Sequence, residues 1–258
     1  MSVVEVDGLT KVFPGQERAA VDGVSLALEE GRVLALLGAN GSGKTTLIKM
    51  LATLTRATSG RARVCGFDVA TDGAQVRAHI GLVGQYAAVD EVLSARANLS
   101  MFARLHGLSA RAARERGAQL LERFDLEGAA DRAVATYSGG MRRRIDLAVA
   151  LITEPQVLFV DEPTTGLDPL ARTALWEQLR SLVGRGHAVV LTTQYLEEAD
   201  ALADDVVILR EGAVVASGTA AELKGLAGQP RMVMVEPTLE EVYRRLYTDE
   251  RAGSEASR

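Results

Sequence analysis

The sequence holds a single cysteine, Cys65, in 258 residues. No intrachain disulfide can form, and a reducing, cytoplasmic setting is the simpler expectation. Long apolar runs are also missing. The segments "VLALL", "VLFV" and "AVVL" have strand length, far below the ~20 residues a membrane helix needs, so the chain is not expected to span a bilayer by itself. There is no basic excess: the net charge is -5, where a phosphate-neutralising surface needs a dominant basic face, and no nucleic-acid partner is expected. The opening "MSVVEVDGLTKVF" places Glu5 and Asp7 where a secretory signal would need an uninterrupted apolar stretch. No internal repeat is present.

What is there begins with an apolar fraction of 47%, that of an ordinary globular protein with a sizeable core. Val3 to Leu28 alternates apolar and polar residues between glycines, which predicts a small antiparallel sheet. "VLALL", Val33 to Leu37, then runs through a Gly-rich turn into "KTTLIKMLATL", the strand-loop-helix order of a parallel α/β unit. From about Ser94 to Thr153 strand signals vanish, and "ANLSMFARLHGL" and "RAARERGAQLLERFDL" have helical spacing. An inserted helical subdomain is expected there, about residues 86–155. Strand patterns resume at "QVLFV", "AVVLTT" and "DVVIL". Asp168 and Pro169 read as N-cap and first turn of a helix, and "TAAE" (Thr219 to Glu222) and "TLEE" (Thr238 to Glu241) as capping boxes. Residues 226–258 form a short extension with one expected helix, and "ERAGSEASR" is expected to be disordered.

"GANGSGKTT", Gly38 to Thr46, satisfies the G-x-x-x-x-G-K-[ST] pattern with a strand before it and a helix after it. Gly38, Asn40, Gly41, Ser42 and Gly43 allow a tight loop whose N–H groups point inward as an anion nest, continued by the helix N-terminus at Lys44, Thr45 and Thr46. Lys44 adds a charge for the outer phosphates and Thr45 a hydroxyl for Mg²⁺. "VLFVDEPTTGLD" delivers Asp161 and Glu162 from a buried strand. Adjacent carboxylates at a strand end call for compensation, since uncompensated buried charge is costly. A metal near Asp161, and a water that Glu162 orients or deprotonates, would provide it.

With "YSGGMRRRIDLAVAL" added, the chain resembles the ATP-binding subunits of ABC transporters over about residues 3–225. That likeness implies a P-loop ATPase fold with ATP and Mg²⁺ as cofactors. Tyr137 to Met141 stands where the family signature is usually Leu-Ser-Gly-Gly-Gln. Tyr137 and Met141 depart from it, while Ser138, Gly139 and Gly140 keep it. A Ser-Gly-Gly turn opening a helix is a second anion nest that one chain does not need for the same phosphate, and the resemblance implies a head-to-tail homodimer with each ATP held between the phosphate loop of one chain and the signature of the other. Asp168 matches the family's D-loop at that interface. Gln85 matches the glutamine that reaches Mg²⁺ and the attacking water; alone it would read as a surface amide. Phe13 matches the aromatic that stacks on adenine, and reads equally as a core residue. Arg142 to Arg144 reads as a solvated or interface face. Gln194, in "LTTQYLEEAD", stands where the family has a histidine that donates to the γ-phosphate.

Together "YSGGMRRRIDLA" and "LTTQYLEEADALAD" resemble the drug-exporter ATPases typified by daunorubicin resistance. The expectation is an ATPase peripheral to the cytoplasmic face of the membrane. It would power export of a small amphipathic molecule through a separate transmembrane permease that contacts the solute. The alternative is a soluble ABC ATPase that remodels a protein or nucleic-acid complex. A nucleotide kinase or GTPase leaves the Ser-Gly-Gly turn unexplained.

Overall fold

The computed structural model describes residues 1–85 and 88–226. Two sheets share the work. The larger contains the continuous apolar runs β3 (Val33–Leu37), β6 (Ile80–Val83), β7 (Val157–Asp161), β8 (Ala188–Thr193) and β9 (Asp205–Arg210), in the order β9-β3-β8-β7-β6 and all parallel, with β10 (Ala213–Gly218) antiparallel on the outer edge of β9. All five residues of β3 are buried, as befits a parallel strand covered on both faces. Its side chains alternate between two cores. Leu34 and Leu36 join Leu47 and Ile48 of α1 (Lys44–Leu51) and the smaller sheet. Val33, Ala35 and Leu37 join the cluster that includes the inserted helices and α6 (Pro169–Val183).

The smaller sheet is antiparallel, in the order β2-β1-β4-β5, built from β1 (Ser2–Lys11), β2 (Val21–Glu29), β4 (Ser59–Val64) and β5 (Phe67–Asp68). The expected N-terminal antiparallel sheet is therefore present, but half its strands come from beyond α1. Cys65 and Gly66 link β4 to β5 with φ of 52° and 81°, the two positive values of a type I′ hairpin turn.

After α2 (Gly73–His79) and β6, the chain leaves the sheet for α3 (Ala95–Leu105), α4 (Ala110–Arg123) and α5 (Gly139–Ala150), and returns at β7. Each helix starts on a serine whose hydroxyl accepts an N–H three residues on: Ser94 from Ala97, Ser109 from Ala112 and Ser138 from Met141. Such caps satisfy one of the orphan donors of a first turn. Buried Asn98 accepts from Asp90 N at 2.8 Å and donates to Asp90 O at 2.9 Å, pinning the entry to α3.

Asp168 caps α6 by accepting from Ala171 N, with Pro169 in the first turn. The box at Thr219 and Glu222 opens α8 (Ala220–Gly225). The "TLEE" box, the helix expected after it and the tail beyond Asp249 lie outside the described residues. Among the described residues no helix is long and apolar enough to cross a membrane.

Candidate nucleotide site

Four parallel strands end on one edge of the larger sheet. β3 leads to Gly38, β7 ends in Asp161 and leads to Glu162, β8 leads to Gln194, and β6 to Gln85. The C-terminal edge of a parallel sheet is where α/β folds place ligands. Gly38 N donates to Thr193 O at 3.2 Å, tying the loop to β8. Gly43 has φ of 102°, and a Cβ there would sit 2.3 Å from the Ala20 carbonyl oxygen, so only glycine fits. As N-cap of α1 it has no side chain, and the first-turn N–H groups are left for a ligand where the helix dipole favours an anion.

Above the loop lies a cavity of about 370 Å³ lined by Ala20, Asn40, Gly41, Gly43, Lys44, Thr45, Thr46, Gln85 and Glu162. Lys44 Nζ folds back to donate to Gly38 O at 2.7 Å and Ala39 O at 3.0 Å, and lies 3.8 Å from Glu162 Oε1. Burial lowers its pKa, opposed by Glu162 and Asp161. Ser42 is buried beneath the loop, its Oγ 2.6 Å from where a Cβ on Gly38 would stand.

Buried Asp161 accepts from Thr45 Oγ1 at 3.1 Å and from Thr192 Oγ1. This brings a hydroxyl of the phosphate loop onto the carboxylate of β7. Glu162 adopts φ of 47°, a left-handed conformation that costs a non-glycine residue of order 1–3 kcal/mol. Its N–H donates to Thr192 O at 3.2 Å and Thr192 Oγ1 at 2.9 Å, which holds the strained turn.

Ser138 caps α5 and does not line the phosphate cavity; Gly139 instead borders a neighbouring cavity of about 390 Å³ with Gln85, Arg143, Asp146 and Glu162. Gly140 packs against α6, where a Cβ would meet Ala171 Cβ at 3.0 Å. Gln194 is exposed just past β8 and lines neither cavity. Phe13 is half-buried with the Lys11 ammonium 5.0 Å from its ring centroid, outside the cavity lining.

Of the arginine run, read as a solvated or interface face, the middle residue departs from that expectation. Arg143 is 8% exposed, and donates to Gly84 O at 2.7 Å and Asp161 O at 2.9 Å. Asp146, buried on the same helix, accepts from Ala88 N at 3.1 Å, and burial raises its pKa, with Arg143 opposing. A second buried carboxylate, Glu198 of α7 (Leu196–Leu202), accepts from Trp176 Nε1 at 3.1 Å. Sequence reasoning missed all three. The apolar neighbours of Asp146 and the acidic neighbours of Glu198 hide which positions face inward.

A phosphate-gripping loop at the central strand, a carboxylate pair on the next strand but one, and a helical insertion opening on Ser-Gly-Gly define a P-loop nucleotide hydrolase of the ATP-binding cassette class. The comparisons agree. Residues 21–165 match the ABC transporter family model. The chain is 53% identical over 234 residues to the daunorubicin resistance ATP-binding protein DrrA3 of Streptomyces coeruleorubidus, covering 91% of this chain and 73% of that one. It is 52% identical over 228 residues to the doxorubicin resistance ATP-binding protein DrrA of Mycobacterium tuberculosis, covering 88% and 69%. A solved ATP-binding subunit of an ABC transporter is 29% identical with a TM-score of 0.76, over 95% of this chain and 99% of that one. The cbiO1 structure from Clostridium perfringens is 26% identical with a TM-score of 0.80, over 95% and 94%. The chain belongs to the ABC transporter family: it is an ATP-binding subunit and an ATPase.

Proposed function

We propose that this ATPase powers export of a small amphipathic molecule, a drug or antibiotic, through a separate membrane subunit, from the cytoplasmic face of the membrane. The observation that carries the export reading is identity above half to relatives named for daunorubicin and doxorubicin resistance. Remodelling of a soluble complex has no comparable support. In this reading residues 1–225 are the nucleotide-binding domain, with 86–155 its helical subdomain and 226–258 an extension.

The phosphates of ATP lie in the cavity above Gly38 to Thr46, and Lys44 exchanges its loop carbonyls for phosphate oxygens. A hydroxyl and a carboxylate joined at 3.1 Å, Thr45 and Asp161, form a hard oxygen set that fits Mg²⁺ with its waters and phosphates. Mg²⁺ there would supply neutralisation of phosphate charge, and Gln85, which lines the same cavity, would offer it a further oxygen. Glu162 orients or deprotonates the attacking water, and Gln194 donates to the γ-phosphate. Phe13 stacks on the base. Ser138, Gly139, Gly140 and Asp168 serve the ATP of a second copy, since Ser138 stands outside its own chain's phosphate cavity. ATP then holds a head-to-tail homodimer that hydrolysis releases.

The test is a Glu162→Gln variant on a sizing column. ATP with Mg²⁺ should convert it to a dimer that persists, while the parent passes through one only transiently. A variant that binds ATP yet stays monomeric overturns the shared site. For export, co-purification with a membrane subunit and ATPase stimulation by daunorubicin are expected; an ATPase indifferent to any amphipathic drug in that complex overturns it.

A further inference from the structure

An apolar groove that the nucleotide site does not use lies between α7 and α8. It has a volume of about 420 Å³ over the ends of β3 and β9, walled by Leu196, Ala199, Ile208 and Leu223. Leu196 is 72% exposed at its rim, and Leu226, just past α8, is 78% exposed. Contiguous exposed apolar surface of this kind marks an interaction site.

We propose that the groove is the docking site for the chain's own segment Thr238–Tyr247. Three observations select that occupant. The groove's wall includes Leu223 and Lys224 of α8, so the described residues end beside it, at Leu226. The twelve residues 227–238 reach up to about 40 Å when extended, which closes the distance without strain. Leu239, Val242, Tyr243 and Leu246 recur at the i, i+3, i+4, i+7 spacing of one helical face, behind the capping box at Thr238 and Glu241. On the rim Glu197 pairs with Arg172 at 3.4 Å and Asp200 with Lys224, and Arg244 and Arg245, which flank the apolar stripe, would be further cations for the same two carboxylates.

The consequence falls on α7. That helix begins at Leu196, two residues after Gln194, and contributes Leu196 and Ala199 to the groove. A docked segment braces α7 along the face that Leu196 and Ala199 give to the groove. It fixes where the residue before α7 stands relative to β8. The docking itself does not depend on how the ATP site works, so it is tested without a turnover assay.

Two measurements on the full chain decide it. In a Cys65→Ser background, the pairs Leu196→Cys with Leu246→Cys and Leu223→Cys with Val242→Cys are oxidised over a range of protein concentrations. Most of each sample should close a disulfide within one chain, independent of concentration. A control pair, Leu105→Cys on α3 with Leu246→Cys, should stay reduced. Absence of any crosslink in both test pairs overturns the proposal. So do links that form only between copies and rise with concentration, which make the occupant a second molecule. Hydrogen exchange adds an independent readout. Leu239→Asp with Leu246→Asp should speed exchange in Leu196–Leu202 by at least ten-fold and leave α1 unchanged. Unaltered exchange in α7, or protection of α7 that arises only when a membrane subunit is added, overturns it. If the double variant loosens α1 as well, the crosslinks decide.

Discussion

Arg143, one turn into α5, donates its guanidinium to the backbone carbonyl of Asp161 at the end of β7, at 2.9 Å. Its other terminal nitrogen donates to Gly84 O at 2.7 Å, one residue before Gln85. One side chain thus ties the Ser-Gly-Gly helix to the carboxylate strand and to the glutamine strand. Burial lowers its pKa, with Asp146 first among the charges that oppose this. Removing one partner of a buried charge pair typically costs about 3–5 kcal/mol, because the other charge is left behind. Arg143→Met should therefore lower the unfolding free energy by that order, seen as a lower urea midpoint at an unchanged slope, and Arg143→Lys should recover only part. An unshifted midpoint would mean that the bonds to Asp161 and Gly84 hold nothing together.

The second buried carboxylate sets a pH dependence. Burial raises the pKa of Glu198 from its ordinary 4.5, while the hydroxyls of Thr193 and Thr164, the Trp176 N–H and Arg143 pull the other way. For an acid with a raised folded value, the folded state holds its proton more tightly than the unfolded chain. The stabilisation is complete below about 4.5 and fades as pH climbs through the folded value. Glu198→Gln keeps an oxygen for Trp176 and removes the titration. The melting temperature of this variant relative to the parent should rise within the range pH 4.5 to 8, climbing until pH passes the folded value of Glu198 and levelling off above it. A difference that is flat over that range would show that Glu198 ionises in the fold as freely as in the unfolded chain.

Thr45 and Asp161 yield a metal prediction. The hydroxyl already lies on the carboxylate at 3.1 Å, so Thr45→Val removes a ligand candidate and the hydrogen bond that orients the other. Loss of an orienting partner at a metal site typically costs 10–100-fold in metal affinity or activity. Calorimetry should show ATP affinity falling by about that factor with Mg²⁺ and far less in the presence of a chelator. Thr45→Ser should restore it. Equal losses with and without Mg²⁺ would place the effect on the loop.

The parts of this architecture that were legible in the sequence are those governed by local pattern. Five continuous residues of β3 bury both faces, and Val33 to Leu37 says so directly. The glycines of the phosphate loop and the cap at Asp168 are equally local. What escaped depends on distant partners. β4 carries exposed Arg61 and Arg63 between buried Ala62 and Val64, too little apolar surface to mark a strand until β1 pairs with it. Arg143 sits between two arginines that are far less buried, with side-chain exposures of 37% and 26% for Arg142 and Arg144. Only the packing of α5 under the strand ends distinguishes the middle one. Asn40, Gly41, Gly43 to Thr46, Gln85 and Glu162, which line the phosphate cavity, could be read from local motifs, while the coupling between Asp161, Arg143 and Gly84 could not.

Gln194 offers the sharpest chemical test. Its carboxamide has two N–H donors and an acceptor oxygen, so it can donate to a phosphate but cannot take up a proton near neutral pH. It stands exposed after β8, whose last residue, Thr193, accepts from Gly38 N through its carbonyl. The phosphate loop and Gln194 therefore follow adjacent strands, β3 and β8, held in fixed register. If Gln194 acts only as a donor, the parent's kcat should show no inflection from this position between pH 6 and 8. Gln194→His adds a group that titrates near 6.5, and a bound phosphate dianion beside it favours the protonated ring and moves the inflection upward. ATP affinity should change little, because either side chain supplies an N–H. The informative comparison is the full pH–rate profile of both proteins at saturating ATP. If the parent binds ATP as tightly as the histidine variant yet fails to turn it over at any pH, donation alone is not enough. The proton of the ring is then part of the chemistry.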